Sequence, residues 1–112
     1  MTDGDLFKLL DPVLPGQVFP YLIPQTERKR VSAWCVFSTY SLYTDVLSGQ
    51  SVKMTRIQFD AYAPTLEHAE TICSDAFNAV KAQHQPFEVE RENSFEHDTE
   101  LYRATVEFKI YS

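Results

Sequence analysis

The chain has 112 residues, 44% of them hydrophobic and 23% charged, enough for one domain with one core and too few for two. Of its net charge of -6, all but one unit is gathered between Glu88 and Glu100, where six acids stand against Arg91 alone, so general affinity for phosphate backbones is not expected. No apolar run approaches the ~20 residues that cross a bilayer, and the N-terminus, MTDGDLFKLL, carries acids where a signal peptide carries bases.

Asp3 to Leu14 places Leu6, Phe7, Leu9 and Leu10 at near-helical spacing behind Thr2 or Asp3 as caps, and Pro12 with Pro15-Gly16 ends the pattern. This predicts a short helix. Val18 to Ile23 is apolar but broken by Pro20, which cannot donate to a central ladder, so an edge position follows. Pro24 to Arg30 is polar, without periodicity, and reads as a loop with Arg28, Lys29 and Arg30 available for contacts.

Val31 to Tyr43 is rich in β-branched and aromatic residues on both alternate sets, Val31, Ala33, Cys35 and Phe37 on one and Trp34, Val36, Tyr40 and Leu42 on the other. A strand apolar on both faces needs two covers. The second is either another subunit or the N-terminal helix. Thr44 to Gln50, including Asp45, is a connection longer than a tight hairpin turn.

From Val52 to Tyr62 the chain alternates, with Ile57, Phe59 and Ala61 on one side and Arg56, Gln58, Asp60 and Tyr62 on the other. Val52 and Met54 fall on the polar side, which calls for a bulge or for an end that leaves the helix. Leu66 to Lys81 is the best-defined helix: Thr65 caps it, and Leu66, Ala69, Ile72, Cys73, Ala76, Phe77 and Val80 make one apolar stripe. After Pro86, Phe87, Val89 and Arg91 alternate with Glu88, Glu90 and Glu92, a half-exposed strand; Asn93 to Asp98 is the expected turn. Tyr102, Ala104, Val106, Phe108 and Ile110 then alternate with polar residues in the cleanest strand pattern of the chain. The expected fold is α+β, a sheet of about four strands, mostly antiparallel, with one long helix on one face and a short N-terminal helix.

The sequence holds no Gly-rich phosphate loop, nucleophile elbow or paired metal motif. Cys35 and Cys73 sit among apolar residues and read as small buried hydrophobes. His68, five residues before Cys73, points elsewhere around the helix, and His84 and His97 lack the spacing for one shared ion. Asp60 is expected to pair with Arg56 or Arg103. Neither a catalytic residue nor a cofactor is expected. The stronger signal is the surplus of large residues on the face away from the helix, where Trp34, Val36, Tyr40, Val52, Met54, Arg56, Gln58 and Tyr62 are candidates for an interface between subunits or with a partner. Arg28, Lys29, Arg30, Asp45 and Gln50 are candidate loop contacts.

Several stretches in order carry a resemblance: Val18-Phe19-Pro20, Ile23-Pro24-Gln25, the aromatic strand Trp34 to Tyr40, Leu47-Ser48-Gly49, Gln58 to Ala63, Thr65 with Glu67 and Ala69, and Tyr102-Arg103-Ala104 with Glu107-Phe108. Together they resemble the tail-completion or tail-terminator proteins of long-tailed bacteriophages and prophages. Val31-Ser32-Ala33 departs from the pattern, which opens the aromatic strand with a proline. The resemblance implies a non-enzymatic α+β subunit that assembles with itself, as a hexameric ring, on the head-proximal end of the tail tube. Its implied partners are the tail-tube protein and a head-tail connector protein, with neither specific nucleic-acid binding nor a membrane. The implied location is the virion tail, and the host cytoplasm during assembly. It also implies that the loop Thr44 to Gln50 reaches the lumen or the tube, and that the acids from Glu88 to Glu100 keep a DNA passage from sticking by repelling phosphate. A head-tail connector or neck component, or a small cytosolic binding or regulatory module on the same fold, are the alternatives.

Overall fold

A computed structural model of the chain describes residues 2–45 and 51–111. Its elements follow in the order α1 (Asp3–Leu10), β1 (Val18–Pro20), α2 (Gln25–Arg28), β2 (Trp34–Asp45), β3 (Ser51–Ala63), α3 (Leu66–Lys81), β4 (Phe87–Glu96) and β5 (Leu101–Tyr111). The strands form one sheet in the order β1-β2-β3-β5-β4. Three pairings are antiparallel, and β1 lies parallel to β2 with Val18 opposite Cys35 and Pro20 opposite Phe37. The expected four antiparallel strands thus gain a fifth. Because β1 follows a helix rather than a hairpin turn, nothing local fixes its direction, and the parallel register is set by where α1 delivers the chain.

Each helix starts where side-chain chemistry permits. At α1, Thr2 Oγ1 accepts from the Asp5 amide at 3.1 Å while the Asp5 carboxylate accepts from the Thr2 amide at 3.1 Å, a reciprocal capping box. At α3, Thr65 Oγ1 accepts from the His68 amide at 3.2 Å, and Glu67 and Lys81 oppose the helix dipole at the correct ends. The polar stretch expected as a loop contains the single turn α2, which Pro24 opens from an extended conformation, while Val31, Ser32 and Ala33 lie outside β2.

One face of the sheet carries the core. Phe37, Ile57, Phe59, Val106, Phe108 and Ile110 are buried beneath Ala69, Ile72, Cys73, Ala76, Phe77 and Val80 of α3. Phe108 sits edge-on to both Phe59 (centroids 5.5 Å apart) and Phe77 (5.1 Å). Leu6 and Leu10 of α1, both fully buried, belong to this same cluster, and burying each contributes about 1.5–3 kcal/mol. So α1 shares the α3 face and does not cover the opposite one. Both helices need a wide apolar surface, and only this face offers an unbroken one.

The opposite face has three zones. At one end Trp34 and Val36 lie under the chain's own segment from Phe19 to Val31, with Ile23, Tyr62 and Leu101 completing the cluster. In the middle, charged and polar side chains of β3, β5 and β4 meet. At the far end Tyr40 and Tyr111 are exposed, and Tyr111 stacks on Phe87 at 4.7 Å. The register of β2 with β3 is continuous from Trp34↔Tyr62 to Asp45↔Ser51. Hence no bulge accounts for Met54 on the polar side, and that end of the hairpin simply runs past β5, whose last paired residue is Tyr111, opposite Met54. Strands of this length, at about 3.3 Å per residue, give the molecule its 51 × 24 × 24 Å shape.

The last hairpin differs from expectation in its turn. β4 continues through Asn93 to Glu96, because Asn93 pairs with Ala104 and Phe95 with Tyr102, and the turn is carried by residues 97–100, with Glu100 at φ 57. Its start is irregular: the register shifts between Phe87 and Glu90, and Glu88 adopts φ 50.

Candidate interaction surface

The polar middle zone is a connected network. Asp60 accepts from Thr105 Oγ1 at 2.7 Å and from Gln58 Nε2 at 2.9 Å, and Arg103 Nε stands 4.0 Å from its Oδ1. Arg103 Nη1 reaches Glu96 at 3.5 Å. Of the two expected partners of Asp60, Arg103 is therefore the nearer, while Arg56 pairs with Glu107 at 3.2 Å and Lys109 with Glu88. The Tyr62 hydroxyl beside Arg103 raises the guanidinium pKa; burial pushes the Tyr62 hydroxyl itself above its ordinary 10.0, against the lowering effect of Arg103. The zone is held together within the subunit and keeps few groups free.

The candidates Trp34, Val36, Tyr40, Met54, Arg56, Gln58 and Tyr62 share this face, as their alternation requires, but they do not share an environment. Trp34 is 4% and Val36 8% exposed, packed inside the subunit, so they have little surface to offer a partner. Trp34 stacks on Tyr62 at 5.1 Å with Arg28 above its ring at 5.9 Å, and its indole Nε1 is buried without a partner among the described residues. Tyr40 is 62% exposed and stands clear of the covering segment. Arg28 and Lys29 are exposed on α2 and its C-cap; Arg30 donates to Glu27 and to the Gly16 carbonyl. Gln50 and the side chains of Asp45 and Val52 lie outside the described residues, as does most of the connection expected to reach a lumen.

Periodicity missed the groove of about 380 Å³ above Trp34 and Tyr62, lined also by Asp60 and Glu96, since its remaining wall, with Leu22 and Arg28, comes from a segment without periodic pattern. Tyr21 was equally hidden. At φ 65, it donates to Asp3 at 3.0 Å and lies 3.2 Å from Thr39 Oγ1, which itself donates to Asp3 at 2.6 Å, so the start of α1 is tied to β2. A bulky residue in the left-handed region is held by such bonds.

Both thiols are shielded. Burial pushes Cys73 up from an ordinary 9.0 to about 11 and raises Cys35 further in the same direction. Native protein at pH 8 is expected to resist a maleimide over hours and to react at both thiols in denaturant, as read by mass spectrometry. Rapid native labelling would contradict this burial. The same shift makes stability fullest below about pH 9.0 and lets it decline as pH rises towards 11, because the unfolded thiols ionise first. Among the described residues no three His, Cys, Asp or Glu side chains gather as metal ligands, and no helix is long and apolar enough to cross a membrane.

No protein-family model matches the chain, and no curated protein matches it. Among solved structures, the fold is similar to that of a chain in the virion of a native gene transfer agent particle, with a TM-score of 0.68 over 95% of this chain and 90% of that one. Identity between the two is 7%, so the likeness is one of fold.

Proposed function

We propose that the protein is a structural subunit of a phage-type particle, acting as a tail-terminator: a ring on the head-proximal end of the tail tube that stops polymerisation and presents a surface for joining the head. The observation that carries this reading is the fold shared along nearly the whole chain with a component of a virion, that of a gene transfer agent. The order of the sequence stretches resembling tail-completion proteins narrows it from virion component to terminator. A neck or connector subunit draws equal support from the fold but none from those stretches.

The role asks for surfaces and for no catalytic group. Its partners are further copies of itself, the tail-tube protein and a connector protein. Exposed Tyr40 and Tyr111 and the basic pair Arg28 and Lys29 give the subunit apolar and charged contacts on different parts of its surface. The test is mass by light scattering, alone and with cognate tail tubes, joined to electron microscopy of the tube ends. Ring-sized complexes seated on tube ends, with no further tube growth, are expected. A chain that stays monomeric with tubes present and leaves their ends growing would sink the proposal.

A further inference from the structure

The sheet has two edges, and they are built differently. At one edge lies β4, ten residues long, none of them buried. Ordering a backbone costs about 1–2 kcal/mol per residue, and a strand without a single fully buried side chain recovers little of it alone. Its outward row includes Glu90 and Glu92, which places like charges opposite one another if two β4 strands meet. At the other edge β1 covers β2 only as far as Phe37, and the chain turns away at Tyr21. From Tyr40 onward β2 pairs with β3 on one side, and the described residues place no strand on the other. From Tyr40 to Thr44 that stretch has no charge, proline or bulge to discourage an added strand, and its one charge, Asp45, stands at the very end.

We infer that the regular part of β4, Glu90 to Glu96, of one copy adds to the open β2 edge of the next, so that the sheet continues from subunit to subunit. The occupant is a second copy because the chain itself supplies both halves: an exposed strand whose acids oppose pairing with its own kind, and an edge that carries no charge from Tyr40 to Thr44. The strand order sets these halves on opposite sides of the molecule, which makes the contact head-to-tail; such a contact closes into a ring when the rotation per subunit permits. The inference rests on the ring reading above and names its interface.

Cross-linking tests it. Ser41→Cys and Asn93→Cys, exposed positions on the same face of the sheet, are made singly and mixed at high protein concentration with a short bis-maleimide; Tyr40→Cys with Glu92→Cys repeats the test on the other face. The buried native cysteines give an unreactive background. Each mixture is expected to give covalent dimers as its main product, and each single variant none. Dimers from a single variant alone would show like-with-like pairing and overturn the inference. Oligomers seen by light scattering without cross-links in either mixture would overturn it while leaving the ring standing. A wild-type chain that stays monomeric throughout would overturn both.

Discussion

Phe108→Ala is expected to lower the free energy of unfolding by about 3–5 kcal/mol, the range for deleting a fully buried aromatic ring. Phe108 is 0% exposed, lies on β5, and touches Phe59 of β3 and Phe77 of α3 edge-on, so the cavity opens where the helix meets the sheet. Relaxation cannot refill it cheaply, because Phe59 is held on the central strand β3 between β2 and β5, and Phe77 is one of six buried residues that seat α3 on the sheet. For a domain whose whole stability is about 5–15 kcal/mol, that loss leaves a marginal protein or none. A urea titration measures it, with a midpoint shift at unchanged slope as the expected form. A loss below about 1 kcal/mol would mean that the helix does not seat on these rings.

Trp34→Ala is the second large effect, and it separates fold from assembly. Trp34 reads from sequence as a subunit contact, yet it is buried under the chain's own segment and stacked on Tyr62. Truncation is expected to cost the free subunit about 3–5 kcal/mol and to loosen residues 19–31, seen as faster amide exchange there. Trp34→Phe keeps a ring over Tyr62 and removes an indole N–H that has no partner among the described residues, so its cost is expected to be much smaller. Tyr40→Ser, on the exposed end of the same strand, is the control and should change monomer stability by no more than about 0.5 kcal/mol. If Trp34→Ala left the monomer's melting unchanged, the covering segment would not be packed as described.

What was legible in the sequence is whatever one period determines. The α3 stripe, the inward set Ile57, Phe59 and Ala61 and the alternation of β5 follow from the 3.6 and 2.0 repeats, and their burial agrees except at Leu66 and Tyr102, which are only half-buried. Placement was less legible. Leu6 and Leu10 show that α1 is amphipathic, but nothing in their spacing says which face of the sheet they join. The cover over Trp34 and Val36 comes from Phe19, Ile23 and Val31, too scattered along an aperiodic stretch to announce a surface. The parallel direction of β1 and the extension of β4 to Glu96 depend on partners distant in sequence, which no local pattern encodes. For the candidate surface, the face was readable by parity, while the division between buried Trp34 and exposed Tyr40 on one strand was not.

Tail length tests the terminator role most directly. Electron microscopy of particles assembled without this chain should show tail tubes that overrun their normal length and fail to join heads, with both defects corrected when the protein is restored. Tubes of normal length joined to heads in its absence would contradict the proposed role.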